Sequence, residues 1–303
     1  MTFEEYRRAL HCISGVHVTA YDNDGEVEPK LTASIVSDIA AAGIHNIVSG
    51  GNTGEFFSMT VDEVIRLQAI VIAAVNGRTA VTAASGRSVR EAIVIAKAAK
   101  VAGANGVMVH HPLDPFAAPH SQVDYFIAIA EAIDLPLVAY VRSDLIPLDE
   151  MVRLATHPAI AGVKFASTNT MHFASCTRAT QGSNAIWICG LAESWALPFY
   201  ALGGKGFTSG LVNIAPELSL AVWQALEAGD YKTARSYVDL IAPFEIMRTK
   251  YRNGANVTVV KEALRLRGMK VGSVRLPGLP ELNEADRLAL SKVLDSWKEV
   301  RVA

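Results

Sequence analysis

The chain has 303 residues, 50% of them hydrophobic, with 28 Lys and Arg against 30 Asp and Glu and a net charge of -2. That length accommodates one large barrel with an appendage or two ordinary domains, and so even a charge balance gives no reason to expect nucleic acid or an anionic membrane as partner. Cys12, Cys176 and Cys189 are far apart, the N-terminus lacks an apolar signal core, and no apolar run reaches transmembrane length; the sequence therefore predicts a cytoplasmic protein working on small molecules, without disulfide or zinc framework.

In chain order, short β-branched runs alternate with amphipathic stretches. Strands are predicted near residues 15–20, 44–49, 79–84, 106–110, 135–141, 160–166, 185–190 and 205–211. Helices are predicted near 31–42, 60–76, 88–102, 119–133, 148–156, 170–181, 194–202 and 216–228, with Thr60 and Ser88 in capping position and Gly43, Gly77, Gly103 and Gly204 at helix-to-strand turns. Eight consecutive strand-helix units predict a (β/α)8 TIM barrel, because parallel strands joined by helices close when the strand order never reverses. The alternative, an open doubly wound sheet, would carry a glycine-rich fingerprint in its first turn, and Thr19-Ala20-Tyr21-Asp22 is not one. After about residue 230 the alternation stops, and helices are predicted over 231–251, 256–267 and 284–301. The division is thus a barrel domain over 1–230 and a C-terminal all-helical extension over 231–303, which packs either on the barrel or on another subunit.

In such a barrel chemistry sits where strands end and βα loops begin. After strand two, Ser49-Gly50-Gly51-Asn52-Thr53-Gly54-Glu55-Phe56-Phe57 either gathers backbone N-H groups and the Thr53 hydroxyl around a carboxylate or is a tight turn needing glycine for geometry alone. Glu55, beside two phenylalanines, is read as an anchor of this loop. Strand four ends in His110-His111-Pro112; adjacent histidines on a strand face opposite ways, so no chelating pair and no metal site is predicted. His111 either exchanges protons near neutral pH or fills the loop interface. Strand five ends in Tyr140-Val141-Arg142-Ser143-Asp144: Tyr140 relays protons or lines the rim, and Arg142 pairs with a substrate carboxylate, with Asp144 or with a neighbouring subunit.

Strand six, Ile160-Ala161-Gly162-Val163-Lys164-Phe165-Ala166-Ser167, reads as buried on both faces. An ammonium there loses hydration, its pKa falls, and the free amine becomes the nucleophile that attacks a ketone. On local sequence alone, a lysine that snorkels or pairs with a carboxylate is the commoner case; the surrounding motifs are what single out the nucleophile.

Gly51-Asn52-Thr53-Gly54-Glu55, a tyrosine closing strand five, Gly-Val-Lys in strand six, and Gly206-Phe207-Thr208-Ser209-Gly210 followed by Asn213-Ile214-Ala215-Pro216 together resemble the dihydrodipicolinate synthase / N-acetylneuraminate lyase superfamily, in order along nearly the whole chain. The resemblance implies class I chemistry on pyruvate or another 2-oxo acid, with Lys164 as Schiff-base lysine, Tyr140 as proton-transfer phenol and Thr53 with nearby backbone holding the carboxylate. It also implies a homotetramer, a dimer of dimers, and no cofactor beyond the covalent Schiff base. The synthase branch has a second threonine where this chain has Asn52, and a tyrosine lent across the dimer where it has His111; its Tyr-Asn-Val-Pro segment becomes Tyr140-Val141-Arg142-Ser143. In Gly54-Glu55-Phe56-Phe57-Ser58, the Tyr-x-Arg after strand five and Val260-Lys261 the chain resembles the 5-dehydro-4-deoxyglucarate dehydratases more closely.

The iminium formed by Lys164 would serve dehydration of a C4 hydroxyl or aldol-type cleavage and condensation, with Asn52, His111, Arg142 and Ser209 lining the distal pocket. The alternatives are a synthase-type condensation of pyruvate with an aldehyde and a barrel that binds a sugar acid without turning it over.

Overall fold

The computed structural model describes residues 1–298, so the end of the helix predicted over 284–301 lies partly outside the described residues. Eight parallel strands close on themselves in sequence order: β1 (Ile13–Val16), β2 (Asn46–Ser49), β3 (Ala80–Ser85), β4 (Gly106–Val109), β5 (Leu137–Val141), β6 (Ile160–Phe165), β7 (Ile186–Cys189) and β8 (Phe207–Ser209), with β8 pairing back onto β1. Helix α1 (Phe3–Leu10) precedes the first strand. Then α2 (Pro29–Ala41), α3 (Val61–Val75), α4 (Val89–Ala102), α5 (Pro119–Ala132), α6 (Leu148–Thr156), α7 (Thr170–Ala179), α8 (Ala196–Ala201) and α9 (Pro216–Glu227) each follow a strand. This is a TIM barrel, and α10 (Tyr231–Asn253), α11 (Asn256–Leu266) and α12 (Glu284–Ser296) are added after it. Every strand residue is buried, which is why the strands read as continuous apolar runs rather than alternating ones. Thr60 and Ser88 do cap their helices, each in a reciprocal pair with a glutamate three residues on, Glu63 and Glu91.

Three differences from the sequence reading have physical causes. Helix α1 was not anticipated, because its charges hide the two positions it buries, Tyr6 and Leu10, which stand one turn apart. Tyr6 enters the N-terminal end of the barrel and meets Thr82 Oγ1 at 2.6 Å; Thr82 then donates to Asn46 Oδ1 at 2.8 Å, and Asn46 to Ser14 Oγ at 2.9 Å. This end is therefore closed by a hydrogen-bonded plug. Strand β1 ends at Val16 although residues 17–20 are equally buried, because the next N-H groups go to side chains: Val18 donates to Asn213 Oδ1 and Ala20 to Thr32 Oγ1. At the other end of the barrel, β8 stops at Ser209 because the chain folds into a 3₁₀ turn over Leu211–Asn213.

The C-terminal helices pack on the barrel itself. Glu55, in the loop after β2, accepts the Arg275 N-H at 2.8 Å and pairs with Lys261 of α11 at 2.5 Å. The glutamate is an anchor, as read, but it ties its loop to the extension rather than to itself. Helix α10 leaves helical geometry at Lys250, Tyr251 and Arg252, just before its C-cap at Gly254. Among the described residues no helix is long and apolar enough to cross a membrane.

Candidate active site

Over the C-terminal ends of the strands lies a cavity of about 450 Å³, with Lys164 and Tyr140 on its floor and α10 along one side. Strand register puts these two together: Tyr140 of β5 pairs with Lys164 of β6, and paired positions in a parallel sheet face the same way. Lys164 is 4% exposed, and its Nζ stands 3.9 Å from the centre of the Tyr140 ring. It has no ion-pair or hydrogen-bond partner among the described residues. Burial, reinforced by the positive charge of Arg142, lowers its pKa to about 7. Free amine is thus accessible near neutral pH.

Tyr140 is as deeply buried, and burial holds its proton more firmly than in a free phenol. Asn52 Nδ2 donates to its oxygen at 3.2 Å, so the phenolic proton is left to point into the cavity. Thr53 lines the cavity next to Asn52. As first residues of a 3₁₀ turn over Asn52–Gly54, both carry N-H groups with no acceptor inside the turn. Gly51 is not part of the lining: a Cβ there would come 2.5 Å from Val16 Cγ1, so this glycine is required for packing. For Gly51 the geometric reading of the loop holds; for Asn52 and Thr53 the side chains reach the cavity.

The other nominated residues separate. Arg142 is exposed and borders both the main cavity and a second cleft formed with Phe57, Leu113 and His111. His111 lies in that second cleft and not against Lys164; its Nδ1 accepts the Arg142 N-H at 3.4 Å. Burial and the Arg142 charge lower its pKa to about 4, which favours a neutral ring at neutral pH. His110, just past the end of β4 and bordering the same second cleft, stacks on Phe56 at 4.5 Å, and its Nε2 lies 3.2 Å from the Gly50 carbonyl. Burial pushes its pKa down to about 3, so its ring is a neutral spacer behind Tyr140. Ser209 does not line the pocket as expected. It is fully buried, accepts the Val212 N-H and meets Ser219 Oγ at 3.1 Å, because strand alternation turns its neighbours Thr208 and Gly210 toward the cavity instead.

Sequence reasoning missed the contribution of α10. Glu245 and Arg248 line the cavity from this helix, and Arg248 Nη1 donates to Glu245 Oε1 at 2.6 Å while Nη2 donates to Asn256 Oδ1 at 2.8 Å. The available signal was a Glu-Arg pair spaced i, i+3 in a helix otherwise read only for its apolar face. Behind them Glu193, after β7, accepts Ser219 Oγ at 2.6 Å, and burial with the nearby Glu245 raises its pKa to about 7. Ala192, just before it and also in the lining, sits at φ 63°, a conformation that costs a non-glycine residue energy.

The model of the dihydrodipicolinate synthetase family matches residues 9–296. The chain belongs to that family. A 4-hydroxy-tetrahydrodipicolinate synthase of Methanosphaerula palustris is 32% identical over 288 residues, covering 92% of this chain and 97% of that protein. An uncharacterised DapA-like lyase of Halobacterium salinarum is 30% identical over 290 residues, covering 93% and 92%. Among solved structures, dihydrodipicolinate synthase from Oceanobacillus iheyensis superposes with a TM-score of 0.95 at 36% identity over 99% of this chain and 100% of that one. The family protein YagE of E. coli K12, solved in complex with pyruvate, gives 0.84 at 26% identity over 95% and 99%. The family members so named are synthases and lyases, and this chain carries their barrel and C-terminal helices from end to end.

Proposed function

We propose that the protein is a class I lyase that forms a Schiff base between Lys164 and a 2-oxo acid, pyruvate or a 2-keto-3-deoxy sugar acid, and then acts as a dehydratase or aldolase. The observation that carries this is an amine without a counter-ion, lowered to about pKa 7, on the floor of a 450 Å³ cavity and against the ring of a buried tyrosine. The C1 carboxylate fits the Thr53 hydroxyl and the N-H groups of its turn. The Nζ lone pair adds to C2, the ketone oxygen takes a proton from Tyr140, and the phenolate then carries one of the amine's protons to the same oxygen. That oxygen then leaves as water, giving a positively charged imine. Transfer of a C3 proton to the Tyr140 phenolate yields the enamine. Its electron pair either expels the C4 hydroxyl, which takes a proton from Tyr140 and departs as water, or forms a C3-C4 bond to an aldehyde whose oxygen takes that proton; cleavage is the reverse of the latter. The iminium is its own electron sink, so the scheme calls for no cofactor and no metal.

Asn52 supports elimination or aldol cleavage over the synthase-type condensation, because an amide that donates to Tyr140 does not pass a proton onward as a hydroxyl would. The synthase names of the relatives support the condensation. Reduction with borohydride in the presence of pyruvate or a 2-keto-3-deoxy acid, followed by peptide mass spectrometry, is expected to place the adduct on Lys164; no adduct leaves the non-catalytic binder. A panel of C4-hydroxylated 2-oxo acids assayed against aldehyde condensation then decides the reaction. The proposal includes the homotetramer that the resemblance implies, testable by light scattering; exposed Leu113, Phe116 and Leu145 supply apolar surface beside the β4 and β5 loops.

A further inference from the structure

We infer that α10 forms a subsite for the hydroxylated tail of the 2-oxo acid, in which Glu245 accepts hydroxyl protons and a second negative charge is disfavoured. This rests on the Schiff-base reading above and adds to it the chemistry of the far end of the substrate. Glu245 and Arg248 are both buried and both face the cavity. Arg248 is committed within the protein: one arm holds Glu245, the other Asn256, and Nη2 lies so close over Gly210 that a Cβ at that position would come 2.5 Å from it. Only one oxygen of Glu245 is engaged. Its Oε2 has no hydrogen-bond partner among the described residues.

A carboxylate already held by a guanidinium is a strong acceptor for an O-H donor. It is a poor neighbour for another carboxylate, and Glu193 behind it makes two acids to one guanidinium in this corner. The remaining lining on this side includes Ser194, Thr249, Asn253 and Asn256, uncharged side chains suited to hydroxyls, with Trp195 and Ile246 as its apolar members. The cavity is therefore polarised. Cationic groups, Lys164 and Arg142, face one side, and α10 presents hydroxyl-reading groups on the other.

Three six-carbon acids test this as competitors of pyruvate trapping: 2-keto-3-deoxygluconate with a neutral hydroxylated tail, 2-oxohexanoate with an apolar tail, and 2-oxoadipate with a terminal carboxylate. The wild-type protein is expected to take the hydroxylated acid roughly 10- to 100-fold better than either other acid, the advantage of hydrogen bonds to a charged acceptor. Equal or better competition by 2-oxoadipate overturns the inference. In Glu245→Gln the negative charge beside Arg248 is removed, so 2-oxoadipate should gain about tenfold relative to 2-keto-3-deoxygluconate. An unchanged ratio in a variant that melts like wild type also overturns it, and if the variant does not fold the wild-type ranking decides alone. Failure to trap pyruvate at all defeats the Schiff-base reading instead, and the ranking of the three acids by calorimetry then still judges the subsite.

Discussion

Lys164 on β6 and Lys261 on α11 are both buried, and each rests its amine on the face of a tyrosine, Tyr140 at 3.9 Å and Tyr21 at 4.2 Å. Lys261 ends on a carboxylate, Glu55 at 2.5 Å, and donates to the Ser273 carbonyl at 3.2 Å. Lys164 ends on open cavity. Burial lowers both, Lys261 to about 8 against the pull of Glu55, and Lys164 to about 7 with Arg142 pushing the same way. The contrast separates two uses of one residue type. With a counter-ion the buried amine fastens the extension to the loop after β2; without one it is a reagent.

Replacing the reagent gives the largest effect. Lys164→Met should abolish the borohydride-trapped adduct and lower turnover by on the order of 10⁴-fold or more, since no other amine is placed to act. Tyr140→Phe keeps the ring under the amine and removes the proton, and should cost about 10²- to 10⁴-fold in kcat while leaving slow adduct formation detectable. The fastening lysine should answer in stability instead. Lys261→Met leaves Glu55 buried without its partner, for a loss of about 3–5 kcal/mol in urea unfolding; Glu55→Gln combined with Lys261→Met should recover most of it, and failure to recover would mean the pair is not what the mutation broke.

A smaller effect is set by pH. Between about pH 7, where folded Lys164 loses its proton, and roughly 10.4, where an unfolded lysine does, the unfolded chain binds the extra proton, so wild-type stability rises with pH relative to Lys164→Met. The rise should amount to a few kcal/mol across that window, roughly 1.4 per pH unit, and a flat difference would show that the amine is not desolvated. Least affected is Asn52→Ala, which removes one donor to Tyr140 and should cost about 0.5–1.5 kcal/mol in kcat/KM with stability nearly unchanged.

The barrel was legible because its strands are buried on both faces and its helices carry caps, both local features. The floor of the site was legible for a similar reason: Tyr140 and Lys164 end consecutive strands, and register does the rest. What escaped depends on long-range placement. Tyr6 is one ring in a charged octapeptide, and its use is visible only once Gly106 and Thr82 are beside it. Glu245 and Arg248 lie in a helix far along the chain from Lys164, and nothing in their own stretch says that α10 borders the cavity. Ser209 turned away for a third reason, since a residue at a strand end has two ways to face, and a shift of one position exchanges cavity for wall.

The most direct test of the difference between the two lysines is trace acetylation of the native protein with acetic anhydride over about pH 5 to pH 11, with the rate at each amine read by peptide mass spectrometry. The expected result is a titration of Lys164 with a midpoint near 7, well below the surface lysines and abolished when pyruvate is trapped on it. A midpoint for Lys164 at the ordinary lysine value of roughly 10.4 would contradict the account.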